Sequence, residues 1–139
     1  ANVRDGAKAA GRDPSEVDIA CFIIACTSNE DGAAEAEARR HIARYAAMPL
    51  YQNMLRRGGY GKETGTMARE WASGNGEAAA RSVSDAMLEE LTLAGHPASW
   101  QRAISRYRAA GATQVILYGC PAGANATDSL METLTAGAP

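Results

Sequence analysis

Two short apolar runs stand out from an otherwise helical pattern. Val17 to Cys26 is β-branched and apolar without alternation, the signature of a strand buried on both faces. Thr113 to Tyr118 is a second such run, ending at Gly119-Cys120-Pro121. Between them the pattern is helical. Ala33 to Ala47 is rich in Ala, Glu and Arg, with Glu35 and Glu37 early and Arg44 late, the order that a helix dipole favours. Leu50 to Arg57 predicts a helix ended by Gly58-Gly59, Tyr60 to Thr66 a loop, and Met67 to Ser73 a short helix. Ser82 or Ser84 caps a helix whose apolar stripe is Val83, Met87, Leu91 and Ala94, closed by Gly95. Pro97 then opens a helix carrying Trp100, Ala103, Ile104 and Tyr107 on one face. A last helix over Asn125 to Thr135 is expected to bury Leu130 and Leu134.

Two apolar strands joined by helices imply a parallel crossover, so the fold class is α/β. A two-stranded parallel sheet cannot cover itself, because such strands need neighbours at both edges and helices on both faces. The missing strands are expected from the rest of a longer chain or from a second copy. The absence of a Met at position 1 also fits a piece of something larger.

Composition narrows the picture. Of 139 residues, 46% are hydrophobic, but much of that is alanine, and there is one Phe against two Trp. A core of that kind is thin for independent stability. The formal net charge of −2, with signs interspersed, argues against nucleic acid as a partner. No apolar run approaches the roughly 20 residues of a membrane span, and no signal-peptide core is present, so a cytoplasmic location is expected. Three cysteines, Cys21, Cys26 and Cys120, lack the spacing of a metal site or disulfide framework and read as reduced, buried thiols.

Several landmarks carry a family resemblance. Ala10-Gly11-Arg12-Asp13-Pro14 leads straight into the first strand, and Pro49-Leu50-Tyr51 is followed by Leu55 and Gly59 in the helical region. Val83-Ser84-Asp85, then Gly95-His96-Pro97, then Arg106-Tyr107 with Ala110-Gly111 precede the second strand. In order and spacing these resemble the luciferase-like monooxygenase family, which includes the coenzyme F-420-dependent oxidoreductases. His96, Ala98 and Ser99 depart from the family's usual residues there.

The resemblance implies that residues 1–139 form one partial domain. It would be the last two βα units of a (β/α)8 TIM barrel, with a helical insertion at about 33–95. It implies an oxidoreductase or monooxygenase working through FMN or coenzyme F-420 on a small-molecule substrate, with self-association or a partner-subunit role as the alternative. The first six strands, which carry most of the family's cofactor pocket, are not in this sequence.

In such a barrel, function gathers where the strands end. Thr27, Ser28 and Asn29 after the first strand, and Tyr118 and Gly119 at the second, are therefore candidate cofactor or substrate contacts; a polar capping loop is the plainer reading of the first three. Arg56 and Arg57, with Tyr51 and Tyr60, are candidates to close over an anionic group. A solvated helix end explains the arginines as simply. His41 and His96 read as structural, and no nucleophile–base pair is assigned.

Overall fold

The computed structural model describes residues 2–136; residues 1 and 137–139 of the expected domain lie outside that range. Helix α1 (Asn2–Ala9) leads to a 3-10 turn at Pro14–Glu16, capped by Asp13, whose Oδ1 accepts from the Ser15 N–H at 2.8 Å. Strand β1 (Ala20–Cys26) follows, then helices α2 (Ala33–Ala46), α3 (Pro49–Arg57), α4 (Gly61–Ala72), α5 (Gly76–Arg81) and α6 (Asp85–Leu91). Strand β2 (Thr92–Ala94), helix α7 (Trp100–Ala109), strand β3 (Gln114–Gly119) and helix α8 (Ala126–Ala136) complete the order. The result is a helix-rich α/β fold.

All three strands are parallel, in the order β2-β1-β3. β1 and β3 pair from Ala20↔Gln114 to Ala25↔Gly119. Side chains fix the start of that register. The Ile19 N–H donates to Thr113 Oγ1 at 2.8 Å, and the Asp18 carboxylate accepts from the Thr113 hydroxyl and from Gln114 Nε2 at 3.1 and 3.2 Å.

β2 was not expected. The sequence pattern carries a helix through Ala94, but α6 stops at Leu91, and Thr92–Ala94 pair with Ile24–Cys26. The Thr92 hydroxyl donates to the Leu88 carbonyl at 2.7 Å and so completes the helix end. Gly95, at φ +89, then turns the chain in a conformation that a residue with a Cβ resists. In the other direction, Tyr60 to Thr66 is not loop. α4 begins at Gly61, with the Tyr60 carbonyl accepting from both the N–H and the hydroxyl of Thr64 at 3.0 and 2.6 Å.

Among the described residues, three apolar clusters form the core. One is built from the helical region between β1 and β2: Ile42, Ala43, Ala46, Met67, Ala79, Ala80 and Met87 of the helices, with Val83 of the turn between α5 and α6. Its alanines let α2, α4 and α5 approach closely. A second lies under one sheet face, where Ile23, Ala25 and Leu93 meet Trp100 and Ala103 of α7, with Ile104 and Tyr107 beside them. That is the α7 face which the sequence predicts. A third joins Cys26 and Cys120 to Ala34 and Ala38 of α2.

The sheet faces are unequal, contrary to the expectation of burial on both. Cys21, Ile23 and Ala25 point towards α7, while α2 covers the other face near its carboxyl end, at Ile24, Cys26 and Cys120. Towards the amino end that second face is bare: Ala20 is exposed, and Phe22 is 72% exposed at the centre of the sheet. The sequence rule reads local apolarity; it cannot know whether a covering element is present.

α8 also departs from expectation. Its buried residues are Ser129 and Thr133, while Leu134 is 52% exposed and Leu130 half-buried. The reason is a hydrogen-bonded cluster with Thr27. The Thr27 hydroxyl donates to the Ser129 carbonyl at 3.2 Å and lies 3.1 Å from Thr133 Oγ1, which accepts from the Thr27 N–H at 3.2 Å. Ser129 Oγ donates to the Thr27 carbonyl at 2.7 Å and accepts from the Ala122 N–H at 2.9 Å. A buried polar stripe with its partners in place docks the helix where an apolar one was expected.

Candidate functional site

The bare sheet face ends in a cleft of about 410 Å³. Phe22, Ile24 and Tyr118 form its floor; Ile42 and Tyr45 of α2, Tyr51, Met54 and Leu55 of α3, and Leu91 of α6 form its walls. The floor follows from register: Ile24 lies opposite Tyr118, and Phe22 is two residues earlier on the same face. Tyr45 and Tyr51 pack with ring centroids 4.7 Å apart, tilted by 49°. Burial, reinforced by the neighbouring Tyr118 and Tyr51, raises the Tyr45 pKa above that of an ordinary phenol. The lining therefore presents flat and apolar surface, with no Lys or Arg among the described residues that form it.

Beside the cleft, His41 meets Tyr118 edge-on, with ring centroids 5.9 Å apart and planes at 77°. His41 Nε2 lies 3.2 Å from Glu37 Oε1, one helical turn away on α2. Beyond the strand ends is a polar notch of about 70 Å³ lined by Ser28, Asn29, Glu30, Asn125 and Asp128, among others. Ser28 Oγ accepts from the Glu30 N–H at 3.1 Å, and the Glu30 carboxylate accepts from the Ala124 N–H at 2.6 Å. A larger polar hollow of about 360 Å³ borders β2, but its arginines are paired: Arg39 with Asp85, and Arg102 and Arg106 with Glu89 at 3.3 and 3.4 Å.

The candidates from the sequence separate into four groups. Tyr51 and Tyr118 come together in the cleft. Ser28 and Asn29 line the notch. Thr27 is 1% exposed and committed to the α8 cluster, and Gly119 lets α8 come close, since a Cβ there would lie 2.9 Å from Leu130 Cδ1. Arg56, Arg57 and Tyr60 enter neither place. Arg57 is exposed, Arg56 donates to Gln52 Oε1 at 3.2 Å, and the Tyr60 hydroxyl donates to the Glu90 carboxylate. His96 caps the turn before α7, with Nδ1 accepting from the Ala98 N–H at 3.2 Å.

Sequence reasoning did not single out Phe22, Tyr45 or Glu37, and it read His41 as structural. Phe22 was legible only as core. Tyr45 and His41 lie four residues apart on α2, a spacing that marks a shared face without saying what it meets. Among the described residues, no three His, Cys, Asp or Glu side chains converge as a metal site requires, and no helix is long and apolar enough to cross a membrane.

A parallel sheet with helices packed against it defines the broad class, an α/β protein, and the aromatic cleft on its second face is the candidate site. The family follows from comparison with known proteins. The luciferase-like monooxygenase family model matches residues 1–114, and the chain belongs to that family. The match reaches the start of β3; α8 lies beyond it.

Proposed function

We propose that this chain is the closing part of an oxidoreductase or monooxygenase that works through FMN or coenzyme F-420 on a small-molecule substrate. In this reading β1 and β3 are the last two staves of a (β/α)8 barrel, and β2 is an added strand on the other edge of β1. Three facts support it. β1 and β3 are parallel neighbours across the whole helical region, α7 packs on one sheet face, and the opposite face is bare where other staves would converge.

The observation that carries the reading is the aromatic cleft on that face. Its flat, apolar lining suits a ring system or an apolar substrate. It does not suit a phosphate, which calls for cations or backbone N–H groups. So this chain supplies a wall for the ring, and the anionic part of either cofactor falls to residues on other staves or to Arg56 and Arg57 at the end of α3. When bound, a reduced flavin or deazaflavin supplies the hydride or activates oxygen. Tyr51 and Tyr118 flank the ring or substrate, Ser28 and Asn29 offer hydrogen bonds at the rim, and Thr27 and Gly119 hold the rim in place. Tyr60 braces α4 against α6. A cytoplasmic location accords with this chemistry.

Fluorescence titration of the 139-residue chain with FMN and with coenzyme F-420 tests the division of labour. The expected result is no micromolar binding by the chain alone, and binding that Tyr118→Ala weakens in a protein carrying the other staves. Micromolar binding to the isolated chain overturns the incomplete-pocket reading. One observation favours a second reading, association without catalysis: the 72% exposure of Phe22. A stable complex of two copies in sedimentation, abolished by Phe22→Asp, supports it; a monomer excludes it.

A further inference from the structure

We propose that Cys26 and Cys120 form an oxidation site, at which a peroxide converts two adjacent thiols into a disulfide tying the carboxyl ends of β1 and β3 together. The register places them. Ala25 lies opposite Gly119, and the Cys120 N–H donates to the Ala25 carbonyl at 2.9 Å, so the ladder continues by one step and sets Cys26 beside Cys120. Neighbouring strands run about 4.8 Å apart, inside the window of about 4.4–6.8 Å between Cα atoms that a disulfide spans. Side chains at matched positions of parallel strands leave the same sheet face, so both sulfurs point towards α2.

Their surroundings leave them to each other. Cys26 and Cys120 are 0% and 1% exposed, and the α2 residues above them are Ala34 and Ala38, which offer no competing group. Cys26 and Cys120 share one buried cluster, and the Cys120 thiol donates to the Tyr118 carbonyl at 3.5 Å. The neighbouring Cys26 thiol favours the Cys120 thiolate, while burial and the Glu37 carboxylate work against it. Cys21, on the same strand, faces the α7 side of the sheet and reaches neither partner.

The chemistry balances with a peroxide as oxidant. The Cys120 thiolate attacks one peroxide oxygen; the S–O bond forms, the O–O bond breaks, and the departing hydroxide takes a proton to become water. The Cys26 sulfur then attacks the sulfenic sulfur; the S–S bond forms, and the thiol proton leaves with the hydroxyl as a second water. Two thiols lose two electrons in all, and one peroxide is reduced. Burial makes the reaction slow, because the oxidant enters only when the strand ends open. The product fastens the Thr27–Asn29 rim to the Pro121–Ala124 rim.

The test is hydrogen peroxide treatment of the folded protein, removal of the oxidant, alkylation in denaturant and peptide mapping by mass spectrometry. A Cys26–Cys120 linked peptide is expected, about 2 Da lighter than the sum of its reduced parts, together with an alkylated Cys21. The oxidised protein should also melt at a higher temperature, and dithiothreitol should reverse the gain. Cys21→Ser should leave the linkage intact, and Cys120→Ala should leave Cys26 open to alkylation. If Cys120→Ala does not fold, the peptide map of the wild-type protein and of Cys21→Ser still decides. Full alkylation of both thiols after peroxide, over-oxidised acids in place of the link, or a bond made through Cys21 would each overturn the proposal.

Discussion

Replacing Ser129 with alanine should loosen the rim of the candidate site more than its single lost oxygen suggests. Ser129 is 4% exposed, and its Oγ serves two main-chain groups at once, donating to the Thr27 carbonyl at 2.7 Å and accepting from the Ala122 N–H at 2.9 Å. Thr27 and Ala122 are themselves 1% and 4% exposed, so water does not readily replace the lost partner. A buried polar group left without a partner costs about 1–3 kcal/mol. Two such groups, less up to about 0.7 kcal/mol gained from alanine's better helix propensity, give a net loss of about 1–5 kcal/mol. That is a large share of a typical folding stability of about 5–15 kcal/mol.

Urea unfolding followed by the fluorescence of Trp71 and Trp100 measures the loss, read as a lower midpoint at unchanged slope. Thr135→Ala is the control. The Thr135 hydroxyl bonds the Met131 carbonyl at 2.8 Å on the same helix but is exposed, so the change should stay within about 0.5 kcal/mol. A loss below about 1 kcal/mol for Ser129→Ala, or equal losses for the two variants, refutes the claim that this polar cluster docks α8.

Three other outcomes follow from the same structure. Phe22→Ala should cost about 1 kcal/mol or less in the chain described here, and about 3–5 kcal/mol in any form whose further staves cover that face; urea unfolding of both forms separates the cases. Burial raises the pKa of Tyr60 and of Tyr107 to about 12, with the Glu90 hydrogen bond adding to the shift at Tyr60. Because the fold favours their neutral forms, the stability they contribute is intact below about pH 10 and fades as the pH rises towards about 12. Phenolate absorbance should show these late ionisations, and Tyr60→Phe and Tyr107→Phe should each remove one. Gly95→Ala should cost roughly 1–2 kcal/mol by thermal melting, since φ is +89 there and the new Cβ would meet Glu35 Oε1 at 2.7 Å.

Local pattern made much of the fold legible. The runs ending at Cys26 and Gly119 are strands, Ser84 caps α6 with its Oγ 3.3 Å from the Met87 N–H, and α7 turns Trp100 and Ala103 inward. In each case the information lies within one or two turns of chain: apolar period, a capping oxygen, a proline at a first position. The candidate site was legible only in part, because Tyr51 and Tyr118 reach one cleft solely through the packing of α3 on α2 and α4.

What the tertiary structure alone decided depends on partners far apart in sequence. β2 exists because Thr92–Ala94 find an edge on β1, not because their residues favour a strand over the end of a helix. α8 turns Ser129 and Thr133 inward because Thr27 waits there with unpaired groups; hydropathy alone would have turned Leu134 in. Cys26 meets Cys120 through register, set at its start by Asp18 and Thr113. Period and propensity act over a few residues, whereas strand pairing and buried hydrogen bonds are fixed by whichever distant group supplies the missing donor, acceptor or apolar cover.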